Sequence, residues 1–382
     1  MKKSRICSLI ALCFAVICVF SSCEKAGTEL SELMIIQGIG IDSKAGRYTV
    51  TVEILNNEQS GSPSGDSNSE NKTKIYSAED ATVAAALRKL TSKSGNLPLF
   101  AHNRVIILGE EAAKGNVLDI LDFFVRNYDS RVSQMLCVAK GGKAEDVIRA
   151  KLLNDTVKSE ILENMLEESY KQSFVPRARV IDAMNSLENG NSCFCVPAVK
   201  VTKNGENEDY QLQGCALFDE KGIRKYIDNK ASEGISFLNN TVKRGFLNTR
   251  LKSGDNAEVV IVKSRTSYDI ESVRGELWYN LTVDVTCDLD EIGANVKKRS
   301  DEELVKELKK AVADEVIEKS RMAMAAMQDK SGGDAVRYGK RLQLHNPKEY
   351  EKIKDHWHYV FPEITTSMKV NVTIRRVGEE TF

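Results

Sequence analysis

The residues in this chain that could do chemistry are few, and their spacings fit known reaction centres poorly. The four histidines are His102, His345, His356 and His358, and no nucleophile elbow, His-Glu-x-x-His or Asp-x-Asp pair accompanies them. His356-Trp357-His358 would turn both imidazoles to one side of a strand, where they could hold a metal, but residues i and i+2 of a helix point apart. The surrounding EYEKIKDHWHYVF reads as helix, which favours packing over metal binding. Gly38-Ile39-Gly40 lacks the third glycine of a dinucleotide loop, and Lys140-Gly141-Gly142-Lys143 lacks the spacing and hydroxyl of a P-loop, so both read as turns. Arg126 and Arg131 bracket Asn-Tyr-Asp-Ser and could clamp an anion; the plainer reading is a pair of cations near a helix C-terminus. Asn280-Leu281-Thr282 is a glycosylation triplet of the kind that chance supplies at this length. No catalytic residue, metal ligand or bound cofactor is assigned.

The thiols separate by position. Of nine cysteines, Cys7, Cys13 and Cys18 lie in an N-terminal apolar run, Cys23 ends it, and Cys137, Cys193, Cys195, Cys215 and Cys287 remain. Those five are read as buried small hydrophobes rather than a disulfide framework. Cys193 and Cys195 would share a face of one strand, without further zinc ligands. Lys2, Lys3 and Arg5 form a cationic head before apolar Ser8 to Phe20, followed at once by Ser21, Ser22 and Cys23. The order is that of a cleaved secretory signal, too short to span a bilayer. Phe20-Ser21-Ser22-Cys23 resembles the lipobox of bacterial lipoproteins, with Phe20 in the usual leucine place. The expected outcome is cleavage between Ser22 and Cys23 and covalent attachment of diacylglycerol and an N-acyl chain to Cys23, which anchors firmly where one chain would not.

The 382 residues, 42% hydrophobic and 29% charged, describe an ordinary globular chain long enough for two or three domains. Net charge is −1, and loss of Lys2, Lys3 and Arg5 with the signal takes it to −4. That balance argues against a nucleic-acid partner, which needs clustered cations.

Periodicity supplies the elements. ELMIIQGIGID and RYTVTVEIL read as paired strands, followed by a polar tract, NNEQSGSPSGDSNSENKTK, expected to be a mobile surface loop. Ser77-Ala78-Glu79-Asp80 resembles a capping box before a helix through Val83, Leu87 and Leu90. VIILG at 105–109 and MLCVA at 135–139 read as buried strands around a helix with a Leu118, Leu121, Val125 face. Helices are expected over AEDVIRAKL and VKSEILENMLEESYKQ, and another ending at Gly190, before a strand over 192–201. The polar stretch 202–210 marks a boundary, followed by a hairpin turning at Asp219 to Gly222 and a short helix over ASEGISFLNN. ELWYNLTVDVTCDLD places Leu277, Tyr279, Leu281, Val283, Val285, Cys287 and Leu289 on one face; a long helix from Ser300 to a Gly332-Gly333 stop and a closing strand, SMKVNVTIRR, follow. The fold class is α+β and multi-domain: three mixed α/β domains, each a sheet covered by helices, after a cleaved lipoprotein signal peptide. The segments are 1–22 signal, 23–30 lipidated tether, 31–201 N-terminal domain, 202–253 small middle domain and 254–382 C-terminal domain.

Three stretches carry a likeness beyond periodicity. ELSELMIIQGIGID with RYTVTVEI and LRKLTSKSGNLPLFAHNRVIILGEEAAKGNVLDILDFFVRNYDSR, then GCALFDEKG, then GKRLQLHNPKEYEKIKDHWHYVFPEITTSMKVNVTIRRVG resemble the Ger(x)C family of spore germination lipoproteins. In the last, Trp357 precedes Phe361-Pro362 and a closing strand, as in that family; Glu24 stands where the family commonly has tryptophan. The resemblance implies a lipid-anchored, non-catalytic subunit of a nutrient germinant receptor at the extracytoplasmic face of the spore inner membrane, with two multi-pass membrane subunits as partners. It carries over one site, the lipid attachment at Cys23. The competing reading from another class is a solute-binding lipoprotein that delivers a small ligand to a transporter; an extracytoplasmic enzyme ranks third.

Overall fold

The computed structural model describes residues 32–56, 72–127, 129–153, 157–187, 192–273, 276–293, 301–377 and 380–381. The signal, Ser22, Cys23, the tether, residues 57–71 of the polar tract and Gly190 lie outside them. Strands β1 (Leu33–Lys44) and β2 (Arg47–Leu55) form the expected antiparallel pair, joined through Ala45 and Gly46, both at positive φ as a two-residue hairpin turn demands. Gly38-Ile39-Gly40 is strand, not turn. A Cβ at Gly38 would overlap the Ser159 hydroxyl, and one at Gly40 would sit 3.1 Å from Ala144, so these glycines admit two helices close to β1.

β3 (Thr73–Asp80) adds to β2, and Ser77 to Asp80, expected as a capping box, are its end. The cap is instead Thr82, whose hydroxyl accepts the Ala85 amide at 3.1 Å and opens α1 (Val83–Ser94) with Val83, Ala86, Leu87 and Leu90 buried. Next come β4 (Leu97–Leu99), β5 (Val105–Gly109), α2 (Glu110–Ala113) and α3 (Val117–Arg126). The buried face of α3 is Val117, Ile120, Leu121 and Phe124, a stripe spaced i, i+3, i+4, i+7, whereas Val125 is exposed. The expected Leu118–Val125 face is turned because the aromatic Phe124, not Val125, fills the core. After β6 (Met135–Ala139) follow α4 (Ala144–Ile148), α5 (Lys158–Lys171), α6 (Val180–Leu187), β7 (Phe194–Asn204), β8 (Asn207–Asp219) and β9 (Gly222–Ile227).

These strands make one mixed sheet, ordered β3-β2-β1-β5-β6-β7-β8-β9 with β4 beside β1. Its centre is parallel and covered on both faces, which explains the unbroken apolar run of β5. Ile106 and Leu108 face a core under α1, α3 and α6, while Val105 and Ile107 face Val147, Ile148 and Leu162 of α4 and α5. Residues 202–210, expected as a boundary, are the tip of the β7–β8 hairpin, and β8 and β9 extend this first sheet.

α7 (Asn229–Leu238) leads to β10 (Gly245–Arg250), the first strand of a second sheet, β10-β11-β12-β13-β14. Residues 202–253 therefore carry no separate sheet; a hairpin and one helix bury too little apolar surface to stand alone, and their strands join the two larger sheets. β11 (Asn256–Val273) and β12 (Glu276–Ile292) are long and antiparallel, and β12 buries Leu277, Tyr279, Leu281, Val283, Val285 and Cys287 as its alternation predicts. α8 (Asp301–Gln328) covers this face with Leu304, Leu308, Val312 and Val316. α9 (Tyr338–His345), α10 (Pro347–Ile353) and α11 (Trp357–Val360) follow, then β13 (Thr365–Val377), parallel to β12, and β14 (Glu380–Thr381).

α7 lies against α8 at Gly234, where a Cβ would overlap the Lys319 carbonyl. Beside it Lys319, only 6% exposed, pairs with Glu233 and, at 3.6 Å, with Glu315. Removing one member of so buried a group would strand its partner's charge. Gly234→Ala should cost about 2–3 kcal/mol by forcing the two helix backbones apart; urea unfolding measures it, and a loss below about 0.5 kcal/mol would contradict this close approach.

Candidate functional site

The structure disperses most residues that composition had singled out. His102, His345, His356 and His358 are all exposed, and Trp357 between the last two is buried: a short 3-10 turn, Lys354–His356, runs into α11 and sends the neighbours of the indole outward. Among the described residues no group of three His, Cys, Asp or Glu side chains is arranged to hold a metal ion. The Arg126 guanidinium is held by both oxygens of Asp122 one turn back, at 2.8 and 2.7 Å, so it forms no clamp with exposed Arg131. The Lys140–Lys143 loop is the expected turn, with Gly141 at φ 69°. Its Gly141 amide donates to Glu110 at 2.9 Å, so a carboxylate of the chain itself stands where a phosphate would sit in a P-loop.

The five described thiols are free and buried. Burial pushes Cys193, Cys215 and Cys287 up to about 12, and Cys137 and Cys195 up as well, which leaves no thiolate near neutral pH. Cys193, Cys195 and Cys215 have a structural place instead: they line the face of β7 and β8 that meets the second sheet, in one cluster with Tyr279, Met327, Tyr338, Trp357 and Phe361.

Asp334 organises that junction. It is 2% exposed, and its oxygens accept the Tyr338 and Gly339 amides, both at 2.9 Å, and the Trp357 indole at 3.1 Å. Its carbonyl takes the Cys193 amide at 3.1 Å, tying the head of β7 to the start of α9 and to α11. Two glycines make room: a Cβ at Gly333 would overlap the Cys193 sulfur, and one at Gly339 would lie 2.9 Å from the indole. Tyr279 stacks on Tyr338 at 4.1 Å between centroids and donates to its carbonyl at 2.8 Å. Desolvation raises the Asp334 pKa above 3.8, opposed by the backbone and indole donors.

Over this network opens a cleft of about 690 Å³, with Met327, Trp357 and Phe361 among its apolar lining. Its polar edge is the β8–β9 hairpin and the segment after α8, joined by Lys225–Asp329 at 2.7 Å, with Arg224–Asp219 at 3.5 Å inside the hairpin. Exposed Tyr359 and His358 stand at its border. An aromatic floor with paired ions at the edge suits a bound side chain or small molecule.

Residues 27–201 match the family model described as "Spore germination protein N-terminal domain", and residues 213–378 match "Spore germination B3/ GerAC like, C-terminal". The chain belongs to the Ger(x)C family of spore germination proteins. Its role lies in spore germination. It is 25% identical to Spore germination protein KC of Bacillus subtilis (strain 168), covering 98% of this chain and 96% of that one. Spore germination protein B3 of the same organism is 22% identical, over 92% of each chain. The fold is that of the crystal structure of the GerBC protein, with a TM-score of 0.59 at 20% identity, covering 91% of this chain and 99% of that one. Trp357 and the Phe361-Pro362 turn, which carried the likeness in sequence, thus lie on the Asp334 junction and line the cleft. Asp334 itself gave no sequence signal beyond an acidic residue after Gly332-Gly333 and before a helical run, and those glycines read first as a helix stop.

Asp334→Asn would turn an amide nitrogen toward donors and should cost about 3 kcal/mol. A carboxylate whose folded pKa is raised above 3.8 contributes fully below that pH and less as the pH rises through the folded value. The asparagine variant lacks this loss, so its deficit should narrow from about pH 4 to about pH 7; denaturant unfolding at both pH values measures it, and a widening deficit would reverse the assignment.

Proposed function

We propose that this chain is a lipid-anchored, non-catalytic subunit of a spore nutrient germinant receptor. It is held by acyl chains on Cys23 at the outer surface of the spore inner membrane and contacts two multi-pass membrane subunits there. The observation that carries the reading is the pair of germination family models that follow one another along the chain, beginning at residue 27, four residues beyond Cys23. Two further points support it. No described helix is long and apolar enough to cross a membrane, so a covalent lipid is the anchor the sequence offers. The tether of residues 23–30 reaches about 25 Å when extended, which keeps the folded part within one molecular diameter of the bilayer. Confinement of that kind raises effective concentration, so a weak contact with the membrane subunits suffices.

A second reading, a solute-binding lipoprotein serving a transporter, draws on the aromatic-floored cleft of about 690 Å³. Saturable micromolar binding of a nutrient to the purified protein, without the membrane subunits, would favour it.

Cys23→Ala should leave the circular dichroism unchanged, lower the membrane-bound fraction at least about tenfold, and slow nutrient-triggered germination. Fractionation of spores and mass spectrometry of the N-terminus test it. Full germination with a soluble, unacylated chain would overturn the anchoring role.

A further inference from the structure

Cys193 also borders a second, smaller hollow of about 260 Å³. Both family regions build it: Tyr170, Arg177 and Asp182 come from the first, Arg337 and Arg341 from the second. Asp182 is the one carboxylate among its lining residues, and Arg179 occupies both oxygens, at 2.7 and 3.0 Å, with Arg177 3.7 Å away. Arg337 and Arg341 face no carboxylate at ion-pair distance among the described residues. Arg337 donates to the Ser186 hydroxyl at 2.6 Å; Arg341 donates to the Val336 carbonyl at 3.2 Å and lies 3.9 Å over the Tyr268 ring. Asp334 acts electrostatically on Arg341, but its oxygens are committed to Tyr338, Gly339 and Trp357. The hollow is thus lined by three guanidiniums against one neutralised carboxylate.

The backbone supplies an independent observation. Arg337 is left-handed, at φ 58° and ψ 40°, a conformation that a long side chain adopts at a cost and glycine adopts freely. The chain is held there because Asp334 binds the next two amides, and Arg337, which lines the hollow, donates to Ser186 from there. An arginine at a position suited to glycine is accounted for by what its side chain does. Planar guanidiniums recognise carboxylate and phosphoryl oxygens in pairs, and a hollow of this size admits a small ion rather than a drug-sized ligand.

We propose that this hollow binds a small anion bearing a carboxylate or phosphoryl group, held by Arg337 and Arg341 with Arg177, where the two family regions meet. The site is separate from the lipid anchor, so its binding is the same whether or not Cys23 is acylated, and its failure leaves the receptor reading untouched. Full-length protein in detergent is titrated calorimetrically with inorganic phosphate and, separately, with succinate, each against sodium chloride of equal ionic strength. The expected result is saturable binding of one anion per chain for at least one of the two, with a dissociation constant at least about tenfold weaker in Arg337→Gln and in Arg341→Gln. Arg341→Gln also loses a stack on Tyr268, so Arg337→Gly is the deciding variant: it is expected to melt no lower than the parent and to lose the binding. Absence of saturable binding by both anions, or binding undiminished in Arg337→Gly, overturns the proposal.

Discussion

Asp334 accepts two backbone amides and the Trp357 indole, while its own carbonyl takes the amide of Cys193. Withdrawing a carboxylate from water costs several kcal/mol, and three well-placed donors offset much of that only if all three stay in place. The geometry is therefore mutually demanding. The indole must reach in, which requires glycine at 339; the head of β7 must come close, which requires glycine at 333. The aromatic cluster of Tyr279, Tyr338, Trp357 and Phe361 buries apolar surface without a preferred direction; the carboxylate fixes how α9 and α11 sit within it, and the Asp334 carbonyl, Arg337 to Ser186 and Lys225 to Asp329 tie this part to the first sheet and its helices. Hydrophobic burial supplies most of the attraction between the sheets, and the Asp334 carbonyl is one of several directional links between them.

The same device recurs in the first sheet. Asp42 at the end of β1 accepts the Ala144 and Glu145 amides at 2.8 and 3.0 Å, and Glu53 on β2, fully buried, accepts those of Lys158 and Ser159 at 3.0 and 2.8 Å. Strand carboxylates thus cap the first turns of α4 and α5, where the helix dipoles favour negative charge. In this chain a few carboxylates and glycines thus set how helices sit on the sheet, while apolar positions need only preserve size and alternation.

Elements with strong periodicity were legible in sequence. β12 announced itself through strict alternation, β5 and β6 through unbroken apolar runs, and α8 through its spacing of Leu304, Leu308, Val312 and Val316. β3 did not, because Thr73–Asp80 is half-buried and polar, and its last four residues mimic a helix cap. Gly38 and Gly40 misled for a related reason: a glycine that admits a neighbouring backbone looks, in sequence, like one that turns the chain. The candidate site was half visible. Trp357 and Phe361-Pro362 carried the resemblance, but Asp334 and Arg337 act through tertiary contacts more than a hundred residues away in sequence, with Cys193 and Ser186, and local spacing cannot encode those.

Open sheets with parallel centres bind ligands beyond the carboxyl ends of their strands, where helix N-termini and loop amides wait for phosphate. In this chain those amides are already engaged: Asp42 occupies the start of α4 and Glu110 the Gly141 amide. Such internal caps satisfy amides that would otherwise be open to a bound anion. The first sheet meets the second through the Cys193, Cys195 and Cys215 face of β7 and β8. Arg337 and Arg341, which face no carboxylate at ion-pair distance among the described residues, lie at that joint rather than at the usual strand ends. An anion there would bear on the contact between the two regions, to which the Asp334 network, Arg337 to Ser186 and Lys225 to Asp329 all contribute.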